Sequence, residues 1–272
     1  MKILLALFIA ACAGGAQAQI VSRDSVHLKP LGSIVSGSFV LVNRIVPLPP
    51  GQFTLVATSF HDSKFIYGDY AGQQHKLVDV VLGQMADGKL RAAVVASGVL
   101  AWGGGRREWV SEPCKRDDTL FKLDRVPYMK RNYSQDCLMV NHYINSLGQA
   151  ATGIYANTAA WIKEQGGTTP IPTAIYASVT RIEVGEYLAV HYVFNPEAYG
   201  CDSAPSTSWA TSAWHKRFIA KDPEKRQFVD GVIGFGKAMQ VRINEAFEGR
   251  RQVADSLAAA TPVVLNCGAK PS

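Results

Sequence analysis

Apolar and polar residues alternate along much of the first half of the chain, a period of two that is typical of strands with one buried face. Apolar runs at residues 39–42 and 53–57 flank a segment containing three prolines and Gly51, which predicts a stiff turn over residues 47–51. Residues 60–75 are rich in Gly, Asp, Tyr and Gln and favour a loop. The first half is therefore predicted to be β-rich.

The strongest local signal in this half is a hairpin. Residues 78–82 and 90–95 are alternating apolar runs, and Asp87-Gly88 between them favours a tight two-residue turn. Residues 137–144 predict a further strand.

The second half adds helical periods to the strands. Apolar residues recur at helical spacing over residues 154–165, and Gly166-Gly167 ends that helix. Residues 174–182 and 187–194 predict a second hairpin, which Pro196 ends.

Two more helices are predicted toward the end of the chain. One starts at Ser208 and places Trp209, Ala213, Trp214 and Phe218 on one side. The other covers residues 222–248 and begins with Asp222-Pro223-Glu224. Asp caps free backbone amides, Pro fits the first turn, and Glu interacts favourably with the positive end of the helix dipole. Its apolar stripe includes Phe228 and predicts a packing role.

These elements predict an α+β fold with an antiparallel sheet of about six or seven strands and about three helices packed on one face. We found no repeat, linker or break in composition. Residues 19–272 are therefore expected to form a single exported domain, preceded by a signal peptide at residues 1–18.

The signal peptide is read from three features. Lys2 supplies a positive charge, residues 3–11 an apolar core, and Ala16-Gln17-Ala18 a small-x-small cleavage site. The expected location is the periplasm or the secreted fraction. The alternative is a lipoprotein acylated at Cys12, which would leave only about six apolar residues before the cysteine, fewer than an export signal normally has. We expect no membrane-spanning segment in the mature chain, because no later run approaches ~20 apolar residues.

After cleavage at Ala18, or with Cys12 acylated, four cysteines are left to pair: Cys114, Cys137, Cys201 and Cys267. An even number in an exported protein predicts disulfides, with three possible connectivities. We predict a Cys114–Cys137 bond that closes a polar, mixed-charge excursion, and therefore a Cys201–Cys267 bond.

Two histidines are candidate functional residues. His142 alternates with Leu138, Val140 and Ile144, so it is expected on the core side of its strand. Histidine among apolar neighbours is most often a residue of the core, and this is the first interpretation. The alternative is a buried imidazole with a shifted pKa that serves as a base or ligand, which makes His142 the one candidate for a catalytic residue. His191 lies on the less apolar face of its own strand, and the two histidine-containing runs could meet if these strands pair.

Known catalytic signatures are absent from the sequence. It lacks the Gly-x-Ser-x-Gly elbow of serine hydrolases and the His-Glu-x-x-His motif of zinc hydrolases, and its histidines and cysteines show no ligand spacing. No metal or cofactor is expected. Paired carboxylates remain possible, with Asp117, Asp118 and Asp124 as candidates by clustering.

Residues 231–238 match the spacing of a phosphate-binding loop as far as Lys237. The motif then requires Ser or Thr, where this chain has Ala238, and it requires a preceding strand. Because the run lies inside a predicted helix, we expect its glycines to allow close packing rather than nucleotide binding.

Several short runs resemble a set of small exported bacterial proteins without known function. They are residues 46–49, Trp109 and Cys114 before a charged run, Cys137 just before residues 140–142, and residues 212–214. The resemblance implies export and a single domain, and it implies no activity.

The leading hypothesis is an exported, non-catalytic binding or structural protein of the cell envelope. With 28 Lys and Arg against 22 Asp and Glu, the chain has a net charge of +6, and loss of Lys2 leaves a modest excess suited to an anionic envelope component. Nucleic acid is not an expected partner. One alternative is a metal-independent hydrolase of an envelope polymer with His142 as base. Another is peripheral membrane attachment, through Cys12 or through the basic helix over residues 222–251.

Overall fold

In the computed structural model, the chain forms one eight-stranded antiparallel sheet with the strand order β1-β2-β3-β4-β8-β7-β6-β5. The structure describes residues 28–64, 74–102, 113–126, 134–148, 152–183, 186–247 and 265–267. The strands are Ile34–Leu41 (β1), Arg44–Lys64 (β2), Gln74–Ala86 (β3), Lys89–Trp102 (β4), Phe121–Asp124 (β5), Gln135–Ser146 (β6), Ile171–Glu183 (β7) and Glu186–Phe194 (β8). The helices are Ile154–Glu164 (α1), Lys216–Ile219 (α2) and Pro223–Phe247 (α3).

Two four-stranded meanders make up the sheet, and β4 and β8 join them at its centre. The β3–β4 hairpin confirms the turn predicted at Asp87-Gly88, because both residues have positive φ angles, 50° and 71°. The β7–β8 hairpin and strand β6 are also confirmed. The predicted α+β class is therefore observed, with one or two more strands than expected.

The turn predicted over residues 47–51 is wrong as a strand boundary. The β1–β2 turn lies earlier, at Val42 and Asn43, and β2 continues through the prolines. The β1–β2 register shifts here, because Ser36 pairs with Gln52 while Ser38 pairs with Pro47. Proline is tolerated at such an irregularity near a sheet edge, where its missing amide breaks no ladder hydrogen bond.

Two segments predicted to lack regular structure contain strands. Phe60 to Lys64 pair with β3 as the end of β2, so the predicted loop over residues 60–75 is wrong at its start; residues 65–73 lie outside the described ranges. The charged run after Cys114 includes the short strand β5, which pairs with β6.

The sheet is covered on both faces rather than on one. Helix α3 packs over β6 and β7 and buries Phe228, Val232 and Phe235 in the main core. Helix α1 packs on the opposite face, where Ile154 and Trp161 contact side chains of β2 and β3. Successive side chains of a strand point to opposite faces of the sheet, and in the central strands β4 and β8 both faces carry apolar side chains. Both faces of the sheet therefore need cover.

Helix α3 begins and packs as its sequence indicates. The Asp222 carboxylate accepts the backbone N–H of Lys225 at 3.1 Å, which confirms the cap. A Cβ on Gly236 would lie 2.9 Å from Leu138 Cδ1 and 3.2 Å from Ala177 Cβ, so this glycine does allow close contact with the sheet.

Residues 208–219 do not form the single helix that was predicted. They form a 3₁₀ turn at Trp209–Thr211 and then the four-residue helix α2. The four predicted same-side residues separate, since Trp214 is buried while Phe218 is exposed. The Ser208 hydroxyl accepts the Thr211 amide at 3.3 Å, so Ser208 caps the start of this short turn, and the turn ends at Ser212 instead of continuing as a long helix.

Both predicted disulfides are present, Cys114–Cys137 and Cys201–Cys267. The first fastens the chain before β5 to strand β6, and the second fastens residue 267 beside the chain that follows β8. None of the helices in the described residues is long and apolar enough to cross a membrane. The predicted signal peptide, Cys12 and Gln19 lie outside the described residues.

Candidate functional site

A cavity of about 630 Å³ lies on the sheet face that carries α1. We call it the α1-side cavity. Its apolar lining comes mainly from β3, β4, β7 and β8: Val81, Leu90, Ala93, Val95, Ile171 and Val193. Its polar lining comes from β6, β8, α1 and the segment before α1: Tyr143, Asn145, Ser146, Thr152, Tyr155 and His191. A cavity of this size and composition is typical of small-molecule sites.

The position of α1 explains why the described residues leave the sheet uncovered at this point. Trp161 sits so close to Gly83 that a Cβ there would lie 2.5 Å from its ring. Glycine at this position thus permits α1 to rest on β2 and β3. The central strands β4 and β8 lie beside the helix, and their apolar residues Val95 and Val193 become the wall of the cavity.

His191 is the one ionisable imidazole in the cavity lining. Burial lowers the pKa of His191 to about 4, so the ring is neutral at neutral pH. Its nearest described aromatic neighbour is Tyr176, with ring centroids 6.1 Å apart. Within the described part of the chain, His191 makes no hydrogen bond through its side chain. A neutral imidazole therefore presents one donor and one acceptor there.

Tyrosines line the approach to His191 along the same face. Tyr143 stacks on Tyr176 with centroids 4.2 Å apart. Tyr155, on α1, is half exposed. Burial, followed by the charges of neighbouring groups, raises the pKa of Tyr155, so it carries a neutral hydroxyl at neutral pH. The cavity is thus apolar in its body and carries neutral hydrogen-bonding groups.

His142, the candidate base predicted from sequence, lies on the opposite face of the sheet from this cavity. It is 1% exposed and stacks on Trp209, whose ring centroid is 5.0 Å away, with His215 at 6.3 Å. Burial lowers the pKa of His142 to about 4. Neither ring nitrogen has a hydrogen-bond partner in the described structure.

The two histidine-containing runs do not pair with each other. Strand β7 separates β6 from β8, and His142 pairs with Ile175 whereas His191 pairs with Ser178. Alternation along the strands then places the two imidazoles on opposite faces. Tyr176 of β7 lies between Tyr143 and His191, so aromatic contacts connect the two histidine-containing runs.

The clustered aspartates have other partners. Asp117 and Asp118 form exposed ion pairs with Lys122 and Arg116, both at 2.7 Å. Hydrogen bonds from these cations lower the pKa of both carboxyl groups. Asp124 accepts the backbone N–H of Val126 at 3.1 Å. None of the three lines the α1-side cavity as the described residues define it.

Sequence reasoning missed a second polar group on the cavity face. Asp79 accepts a hydrogen bond from the Ser97 hydroxyl at 2.5 Å and lies 3.2 Å from His61 Nδ1. Asp79 is the shared partner of Ser97 and His61, and within the described residues Ser97 makes no hydrogen bond to His61, so the geometry is not that of a Ser-His-Asp triad. The alternation that placed Ser97 and Asp79 on one face is visible in the sequence, but the pairing of β2 with β3 that brings His61 beside them is not.

Among the described residues, no group of three or more His, Cys, Asp or Glu side chains could hold a metal ion. The membrane hypothesis involves Cys12 or the basic helix over residues 222–251, whose cations include Lys225, Arg226, Arg250 and Arg251. Lys225 pairs with Asp222 at 2.5 Å, and the two later arginines lie outside the described residues.

Comparison of the chain with protein-family models, with curated proteins and with solved structures found no match.

Proposed function

We propose that this protein is an exported, non-catalytic binding protein that holds a small, mostly apolar molecule in the α1-side cavity. The observation that carries the proposal is the cavity of about 630 Å³ against the apolar face of β4 and β8. The cavity opens to solvent, so its apolar walls contact water unless a ligand covers them, and an exposed apolar groove of this kind is typical of binding sites. Space of this size on the central strands is better explained by a ligand.

Export is supported by the two disulfides, because such bonds persist in oxidising compartments and are rare in the cytosol. The apolar signal-like segment at residues 3–11 supports the same location, the periplasm or the secreted fraction. A periplasmic location favours a role in the cell envelope.

The alternative of a hydrolase with His142 as base receives less support from the geometry. A general base must reach the proton that it removes. His142 is packed against Trp209 and faces away from the α1-side cavity. A substrate would have to displace this packing first.

A titration with the uncharged dye N-phenyl-1-naphthylamine, which fluoresces in apolar surroundings, tests the proposal. We expect saturable binding to the wild-type protein. Val95→Phe should weaken it at least about tenfold, because the larger ring occupies the cavity that Val95 lines. Val241→Phe is the matched control, since Val241 is 40% exposed on α3 at the other side of the sheet.

Thermal unfolding of both variants identifies any loss of fold. The proposal is contradicted if the wild-type protein does not bind the dye. It is also contradicted if a folded Val95→Phe variant binds the dye as tightly as the Val241→Phe variant does.

A further inference from the structure

We propose that the ligand of the α1-side cavity is an uncharged molecule with an apolar body and one hydroxyl or amide group, which His191 anchors by a hydrogen bond. This inference rests on the proposed function and specifies the chemical class of its ligand. It excludes carboxylates, sulfonates and other anions from this site, although the chain as a whole is basic.

The described lining of the cavity is uncharged. The residues that form it include no Lys, Arg, Asp or Glu. Moving an ionised group from water into such surroundings without an opposite charge is strongly unfavourable. An ion bound here would find neutral hydroxyls and amides, such as Tyr155 and Asn145, instead of a counter-charge.

Two charged groups on the described part of this side of the sheet, Asp79 and Arg116, already have partners. Asp79 lies on the same face, two residues from Val81, and is held by Ser97 and His61. Arg116, which interacts electrostatically with Tyr143 of the lining, pairs with Asp118 through two hydrogen bonds, at 2.9 and 2.7 Å. Neutralising a bound ion would require one of these pairs to break, which adds to the cost of binding a charged ligand.

His191 is the side chain that can anchor the polar group of the ligand. It lines the cavity, is only partly buried, and makes no side-chain hydrogen bond within the described residues. Polar groups in an apolar site are usually hydrogen-bonded, and here a ligand can supply the missing partner. A neutral imidazole both donates and accepts, and a hydroxyl or amide group does the same.

The experiment measures displacement of N-phenyl-1-naphthylamine by three competitors of nearly equal size: naphthalene, 2-naphthol and 2-naphthoate. We expect 2-naphthol to bind about three- to tenfold more tightly than naphthalene, the gain typical of one net hydrogen bond. We expect 2-naphthoate to bind at least about tenfold more weakly than 2-naphthol, because it is ionised at neutral pH.

The His191→Phe variant tests the anchor. Its affinity ratio for 2-naphthol over naphthalene should fall to about one, and this ratio is the readout because a new ring in the lining can change the affinity for both competitors alike. His191→Gln, which keeps a donor and an acceptor, should retain part of the preference. If 2-naphthoate competes as well as 2-naphthol in the wild-type protein, the inference is overturned without any variant. If a folded His191→Phe variant keeps the full preference, the anchor is overturned. If the dye itself does not bind, the proposed function fails and this inference fails with it.

Discussion

Phe228 fixes helix α3 to the sheet, and its truncation to alanine should destabilise the protein markedly. The side chain is fully buried. Its ring lies 5.7 Å from the Trp214 ring and 5.5 Å from the Tyr199 ring, measured between centroids. The ring therefore joins α3 to two segments on either side of it, the turn before α2 and the chain after β8.

The expected magnitude follows from this environment. Loss of a buried Phe typically costs roughly 3–5 kcal/mol in the free energy of unfolding. Aromatic pairs add about 0.5–1.5 kcal/mol each beyond the buried area, which favours the upper half of that range. In a domain of this size each kcal/mol lowers Tm by roughly 2–4 °C, so Phe228→Ala should lower it by roughly 8–20 °C.

Thermal unfolding followed by circular dichroism measures the change, with Lys237→Ala as the control. Lys237 is exposed on the same helix, and its ammonium group lies 4.9 Å from the Phe121 ring centroid. An exposed contact of this kind contributes about 0.5–1 kcal/mol, so the control should change Tm by about 1–4 °C at most. If Phe228→Ala shifts Tm no more than Lys237→Ala does, the packing argument is refuted.

Three further perturbations have definite expected outcomes. Gly234→Ala should stabilise α3 by up to ~1 kcal/mol in a denaturant titration, since a Cβ there meets nothing within 4 Å, whereas Gly236→Ala should destabilise it because its Cβ would press on the sheet. Replacing Cys114 and Cys137 together by serine should lower the free energy of unfolding by ~3 kcal/mol, as expected for opening a loop of this length. Burial lowers the pKa of His142 from its unfolded value of 6.5 to about 4, so between these pH values the unfolded chain binds more protons than the folded protein. The measured Tm should therefore fall as pH falls from 6.5 toward 4. The fall should be less steep in a folded His142→Phe variant.

Local signals in the sequence predicted the elements that local chemistry determines. Asp87-Gly88 specifies its hairpin because both residues must adopt positive φ angles, and Asp222 specifies the start of α3 by capping a free amide. The proline segment in β2 gave a misleading signal. Prolines are typical of turns, but here the strand continues past them because β1 pairs with β2 before and after the proline segment and β3 pairs with it from Thr54 onward.

The arrangement of these elements depends on contacts between distant residues, which the sequence pattern does not encode. The pairing of β4 with β8 places the two meanders in one sheet, and the absence of a side chain at Gly83 admits α1 to the second face. Alternation in β8 did place His191 opposite the apolar stripe of its strand. That His191 lines a cavity could not be predicted, because the other walls come from α1, β3, β4 and β6.

The central claim is that the α1-side cavity binds an uncharged, mostly apolar ligand. The most direct measurement is a crystal structure of the protein with 6-bromo-2-naphthol, in which anomalous scattering locates the bromine. The account predicts a bromine peak in the cavity between α1 and β8, with the ligand hydroxyl within hydrogen-bond distance of a His191 ring nitrogen. A bromine peak found only on another surface, with the cavity free of ligand, would contradict it.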